Sequence, residues 1–263
     1  MAQLIAAGMK VEIDAILFDK DGTLIDFIYT WGQWSEHLLG EFASQLEARG
    51  LPAMEADIAS LWGTQHDADG AIVDYDRNGP LAMGTLDDLV AVLAWQGYRA
   101  GMSWAEAKLA VQQCRTHADE RLNEARAAKA LPGVIPFLER CREIGLTLAV
   151  VTADETAAAV RQLEWLGLTD YFAACIGTDQ VERGKPFPDM VELACGRLSL
   201  DPARVAVIGD TNGDMKMAKL AGAAAGIGIA VIAADGADRG AKLPDADAII
   251  VSMSELALAN EPC

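Results

Sequence analysis

The sequence predicts an α/β fold: a Rossmann-like doubly wound parallel sheet with an inserted helical cap domain. Three observations predict it. Four short apolar runs rich in Val, Ile and Ala end in Asp, Thr, Gly or Ser. Helical patterns lie between the later runs, with short connections. A stretch from 27 to 129, after the first run, breaks that rhythm. Apolar runs without polar alternation are strands buried on both faces, as a parallel sheet requires.

The first run, "AILFDKDGT" (15–23), carries four apolar residues straight into Asp19, Lys20, Asp21, Gly22 and Thr23. Two acids and a Lys are poor core there. They suit a buried strand that ends at a pocket needing two carboxylates. If strand alternation continued, Lys20 would face away from Asp19 and Asp21 and be structural. "LTLAVVTAD" (146–154), "RVAVIGDTNGD" (204–214) and "DAIIVSMSEL" (247–256) end in the same polar way. "AGAAAGIGIAVIAA" (221–234) reads as a helix end and a buried strand, too short and Gly-rich to span a bilayer. Between the runs, "GVIPFLERCREIG" is a helix stopped by Gly145. "DETAAAVRQLEWLG" is one with Asp154 as N-cap and Gly167 as stop. "FPDMVELACGRLS" and "GDMKMAKLAGA" complete the alternation. Such an order implies right-handed crossovers and a ligand site at the carboxyl ends of the strands, where the Asp, Thr and Ser residues fall.

The interrupting stretch reads as helices over roughly 30–49, 85–97 and 103–130, by their helical spacing. Thr85 is the expected N-cap of the middle one, with Asp87 and Asp88 in its first turn. Segment 63–85, rich in Gly and Asp, reads as a loop. Five of the six tryptophans lie in this stretch and suit its own core. The expected domains are therefore a core of 1–26 with 130–263 and a cap of 27–129.

Composition narrows the function. In 263 residues, 52% are hydrophobic, enough for a real core. The 21 basic and 39 acidic residues leave a net charge of −18. That field repels nucleic acid and anionic membrane, so neither is an expected partner. It also repels a phosphorylated substrate, so any anion site must be built locally from a metal, backbone N–H groups or a few cations. Five cysteines without C-x-x-C spacing argue against a disulfide framework or zinc site, and Cys114, Cys141 and Cys195 read as small core residues. The opening "MAQLIAAGMKVEID" lacks the basic-then-apolar pattern of a leader. A cytoplasmic monomer or homodimer is the expected form.

"DKDGT", "VVTAD", "GKPFPD" and "GDTNGD", in that order and each at a strand end or loop, resemble the haloacid dehalogenase superfamily of phosphotransferases. The resemblance covers about 12–26 and 130–255, and looks most like the phosphoglycolate phosphatase group. It implies Asp19 as the nucleophile that takes the phosphoryl group. Asp21 would protonate the leaving oxygen and then take a proton from water. Thr152 and the Ala153 N–H would hold phosphoryl oxygens. Lys185, in a loop stiffened by Pro186 and Pro188, would neutralise the phosphoryl charge. Mg²⁺ would sit on the Asp19 and Asp210 carboxylates and the Asp21 carbonyl. Asp214 would hold a metal water or Lys185. Substrate choice would fall to the cap, with Tyr75 and Arg77 the candidates; Arg77 suits a substrate carboxylate.

The expected activity is a Mg²⁺-dependent phosphatase acting on a small phosphorylated metabolite such as 2-phosphoglycolate. Alternatives are a sugar phosphomutase of the β-phosphoglucomutase type and a non-catalytic binding protein. "DKDGT" also resembles the "DKTGT" of P-type ion pumps. The sequence has no span of about 20 apolar residues for such a pump.

Overall fold

A computed structural model describes residues 2–54, 61–69, 71–230 and 243–260. The chain divides into two compact units, residues 1–26 with 128–263, and residues 27–127. In chain order the strands are β1 (Ala2–Ala6), β2 (Met9–Ile13), β3 (Ala15–Phe18), β4 (Thr64–His66), β5 (Ile72–Tyr75) and β6 (Thr147–Val151). They continue with β7 (Ala174–Ile176), β8 (Val205–Gly209), β9 (Ala225–Ile229), β10 (Ala248–Ile250) and β11 (Ala257–Asn260).

The first unit is built on a six-stranded sheet in the order β10-β9-β8-β3-β6-β7. Every neighbouring pair in it is parallel. The chain builds outward from β3 through β6 to β7, then crosses to the other side of β3 with β8. The strand order thus reverses at β3, the position where open α/β sheets form a crevice.

Both faces of the sheet are covered, which is why its strands read as unbroken apolar runs. Ile16, Phe18, Val150 and Ile208 enter one apolar layer with Phe137 and Leu138 of helix Val134–Glu143. Ala15, Leu17, Ala149 and Val207 enter the other with Val191 and Ala194 of helix Asp189–Leu198. Gly145 and Gly167 both adopt positive φ just beyond their helices, as helix-ending glycines do. Cys114, Cys141 and Cys195 are buried thiols.

One helix start differs from expectation. The N-cap of helix Thr156–Trp165 is Glu155, without a side-chain cap bond. Asp154 precedes it and instead accepts the Glu155 N–H on Oδ1 at 2.7 Å. Its other oxygen is engaged by Lys20. The carboxylate is thus shared between the Glu155 N–H and the Lys20 ammonium.

A second sheet, of three strands, has the order β11-β1-β2. β1 and β2 form an antiparallel hairpin, and β11 pairs with the far edge of β1. β1 alternates buried and half-buried residues, and Leu4, Ala6 and Ile13 join the apolar layer on one sheet face. Ala7 and Gly8 both take positive φ, as a tight hairpin turn demands. Ala-Gly is a weaker turn signal than Asn-Gly, so the hairpin was not legible. Residues 231–234 of the apolar run 221–234 lie outside the described residues, as does Cys263.

The second unit contains helices Gln33–Ala48, Leu86–Arg99 and Trp104–Ala125. Thr85 caps the middle one in a reciprocal capping box with Asp88. The last helix stops at Ala125 rather than 130, because Arg126 turns left-handed at φ 46°. Segment 63–85 is not simply a loop: antiparallel β4 and β5 pair within it, and a short helix, Pro80–Met83, follows. Trp34 and Trp62 are buried, whereas Trp95 and Trp104 are about half exposed, so only some of the tryptophans are core. No described helix is long and apolar enough to cross a membrane.

Leu4 is fully buried although it lies in the terminal hairpin. Leu4→Ala should therefore destabilise the protein by about 2–5 kcal/mol, the usual range for a buried leucine. Urea denaturation checks this: a loss near zero would mean that the hairpin is not part of the cooperative unit.

Candidate active site

The site grows from the ends of three adjacent strands. Phe18 pairs with Val150 of β6 and Ile208 of β8, so the residues just beyond these strands share one sheet edge. The Asp19 N–H donates to the Ile208 carbonyl at 2.8 Å, which holds Asp19 at the end of the ladder. The backbone then folds back. The Lys20 carbonyl accepts from the N–H groups of Leu24 at 2.8 Å and Ile25 at 2.9 Å. Gly22 supplies the positive φ, 84°, that the turn needs.

β8 delivers Asp210, and Thr211 caps helix Asn212–Leu220. Asp214, three residues into the capping box, receives the Thr211 N–H at 3.1 Å and the Thr211 hydroxyl at 2.5 Å, both on Oδ2. The capping box therefore turns Oδ1 of Asp214 toward Lys185, whose Nζ lies 2.6 Å away. The same Nζ is 2.5 Å from Oδ1 of Asp19. Asp19, Asp210 and Asp214 are all buried, each with a carboxylate oxygen within 4.8 Å of the others'.

Thr152 follows β6 and donates its N–H to Ile176 at 2.9 Å. Its hydroxyl oxygen accepts the Asp154 N–H at 3.1 Å. The loop after β6 thus has a fixed shape, with Ala153 half-buried between the two.

Residues 13–222 match the family described as haloacid dehalogenase-like hydrolase. The chain belongs to this family. Among curated relatives, a probable phosphatase IndB of Dickeya dadantii is 41% identical over 116 residues, 44% of this chain and 50% of that protein. The match thus spans half the length of that relative. A phosphoglycolate phosphatase of Chromobacterium violaceum is 29% identical over 86% of this chain and 90% of its own. Two solved structures share the fold across 92% of this chain and 96% of theirs. One is a predicted phosphoglycolate phosphatase from Haemophilus somnus, with TM-score 0.65 and 20% identity. The other is a putative β-phosphoglucomutase from Thermotoga maritima, with TM-score 0.64 and 23% identity. At these identities the likeness concerns the fold alone. Family membership and phosphatase-named relatives support a phosphatase enzyme.

The candidate site is a cluster of buried acids with Lys185 between two of them. Burial pushes the Asp19 carboxyl up to about 7, against the downward pull of Lys185. Burial works against the charge of Lys185, but Asp19 and Asp214 outweigh it and its pKa rises. Among the described ion pairs, Lys185 meets two of these three buried carboxylates, and so dense a set of negative charge is expensive away from water. The donors are all hard oxygens, the set that suits Mg²⁺. The residues present therefore fit a divalent cation.

Lys20 requires a correction. It does not face away from Asp21. The turn ends the strand alternation at Asp19, and the Lys20 ammonium comes to 2.7 Å from Oδ2 of Asp21. It also meets Oδ2 of Asp154 at 3.2 Å and Oε1 of Gln162. Burial alone would lower its pKa, but pairing with Asp21 and Asp154 raises it. Asp154 and Gln162 were missed as partners of this network. Asp154 had a signal, as an acid at a strand end beside Thr152; Gln162, a helical residue, had none.

Tyr75 and Arg77 lie in the second unit, and each makes contacts within it. Tyr75 is buried and stacks on Phe27, with ring centroids 3.8 Å apart. The Arg77 guanidinium bonds Asp74 and the Tyr75 carbonyl and sits 4.0 Å from the Tyr75 ring centroid.

Gly209 is required by the close approach of Asp214. A Cβ there would lie 2.3 Å from Asp214 Cγ. Gly209→Ala should displace the Asp214 carboxylate and cost about 1–3 kcal/mol, the range for overpacking. Thermal denaturation with and without Mg²⁺ checks both parts. Unchanged stability with an unchanged Mg²⁺-induced shift would contradict this packing.

Proposed function

We propose that this chain is a Mg²⁺-dependent phosphatase that hydrolyses a small phosphomonoester through an aspartyl-phosphate on Asp19. One observation carries the reading. Asp19 is held against Lys185 in a buried acid cluster, and two residues on, Asp21 keeps a buried oxygen, Oδ1, without a hydrogen-bond partner among the described residues. A nucleophile and a proton donor on one short turn are what cleavage of a phosphate ester needs.

In the first step an Asp19 oxygen bonds to phosphorus while the bond from phosphorus to the ester oxygen breaks. Asp21, protonated, gives its proton to that oxygen, and the alcohol leaves. In the second step water attacks phosphorus, its proton passes to Asp21, and the Asp19–phosphorus bond breaks to release phosphate. Lys185 neutralises the charge of nucleophile and phosphoryl group together. The Thr152 hydroxyl and the Ala153 N–H hold phosphoryl oxygens. The Asp19 and Asp210 carboxylates and the Asp21 carbonyl would hold Mg²⁺, which would supply neutralising charge at the phosphoryl oxygens. Asp214 orients Lys185.

The substrate is a small phosphorylated metabolite, and 2-phosphoglycolate is the first to try, given the name carried by the Chromobacterium violaceum relative. Tyr75 and Arg77 are the candidates for reading the rest of the molecule.

The test is phosphate release from a panel of small phosphomonoesters, 2-phosphoglycolate included, with Mg²⁺ or with EDTA. Release should require the metal. Asp19→Asn should lower it roughly a thousand-fold or more, as loss of a nucleophile does. A sugar 1-phosphate isomerised without phosphate release would point to a mutase. Ligand binding without turnover, indifferent to Asp19→Asn, would point to a binding protein.

A further inference from the structure

The proposed reaction leaves one buried charge without a task. Lys20 stands between the two acids in sequence and is fully buried. An ammonium in that position must be paired, or it would be neutral. Its partners include Oδ2 of Asp21 at 2.7 Å, Oδ2 of Asp154 at 3.2 Å, and Oε1 of Gln162. Two of these come from the β6 side of the site. Asp154 is itself held by the Glu155 N–H at 2.7 Å and through its own N–H to Thr152 at 3.1 Å. Gln162 is a buried residue of helix Thr156–Trp165. The ammonium is therefore anchored from outside its own turn. Asp21 is treated unequally by it. Oδ2 is engaged, while Oδ1 is buried and has no hydrogen-bond partner among the described residues.

We infer that Lys20 is a positioning residue: anchored on Asp154 and Gln162, its ammonium pins one oxygen of Asp21 and leaves the other for the leaving-group proton. The inference rests on the phosphatase reading above. A general acid works only within hydrogen-bond reach of the atom it protonates, and small misplacements cost rate. A carboxylate on a turn can swing about its own side chain. An ion pair fixed to the neighbouring strand end removes that freedom. The same pair ties the loop that holds Asp21 to the loop that holds Thr152.

A purely structural Lys20 would also destabilise the fold when removed, so stability cannot decide. The leaving group can. An alkyl phosphate needs its oxygen protonated, whereas 4-nitrophenolate leaves unaided. Lys20→Met should lower kcat/KM for an alkyl phosphate about 10–100-fold more than for 4-nitrophenyl phosphate, at or below the lower end of what a general acid contributes, because Asp21 is misplaced and not removed. Asp21→Asn should show the same skew, and adding Lys20→Met to it should cost little more. Gln162→Leu keeps Lys20 but loosens its anchor, and should show a weaker form of the skew. It carries the test if Lys20→Met does not fold. Equal losses on both esters, or full additivity with Asp21→Asn, would overturn the inference and leave the phosphatase reading standing. If Lys20→Met does not fold, Gln162→Leu without skew has the same meaning. Wild-type protein that hydrolyses neither ester with Mg²⁺ would overturn the phosphatase reading, and the inference with it.

Discussion

Buried negative charge governs this molecule. Asp19, Asp154, Asp210 and Asp214 are all nearly or fully out of solvent, with Asp21 close beside them. Only Lys185 and Lys20 answer them at close range among the described ion pairs. A protein interior cannot hold such an excess unpaired. Much of the local architecture follows from this constraint. The capping box fixes Asp214, the turn after β3 fixes the Lys20 backbone, and Gln162 completes the shell of the Lys20 ammonium. A divalent cation, with two positive charges, would offset part of this negative charge.

The two lysines divide the work by place. Lys185 bridges Asp19, after β3, to Asp214, in the helix after β8. Lys20 bridges Asp21, after β3, to Asp154, after β6. Strand β3 is the centre of the sheet, and each ammonium joins its loop to one neighbour. The reversal of strand order creates the crevice, and these ion pairs set the positions of the groups within it. The chain's net charge of −18 makes the local cations matter more, because nothing in the long-range field favours an anion.

Much of the fold was legible because burial leaves a period in the sequence. β3, β6 and β8 are buried on both faces and read as apolar runs, while their helices carry glycine stops. Thr85 was legible as a cap because the Thr-x-x-Asp pattern is itself the bond network. The hairpin of β1 and β2 was not, because an Ala-Gly turn is a weak signal and β1 alternates only over five residues. β4 and β5 were hidden for a similar reason, being three and four residues long within a Gly- and Asp-rich segment. Arg126 ended its helix early by turning left-handed, and no glycine stands there to announce it.

The sequence by itself named the candidate residues, Asp19, Asp21, Thr152, Lys185, Asp210 and Asp214, each next to an apolar run or a stiffened loop. It could do so because strand ends and turns are local, and local order is written in neighbouring residues. Only the tertiary structure decided which charge meets which. Lys20 read as a residue facing away, and it became the partner of Asp21 because the chain turns after Asp19 and because Asp154 and Gln162 arrive from far along the sequence. Pairing between loops depends on sheet register and on the energy of unpaired buried charge, and neither is a property of any short segment.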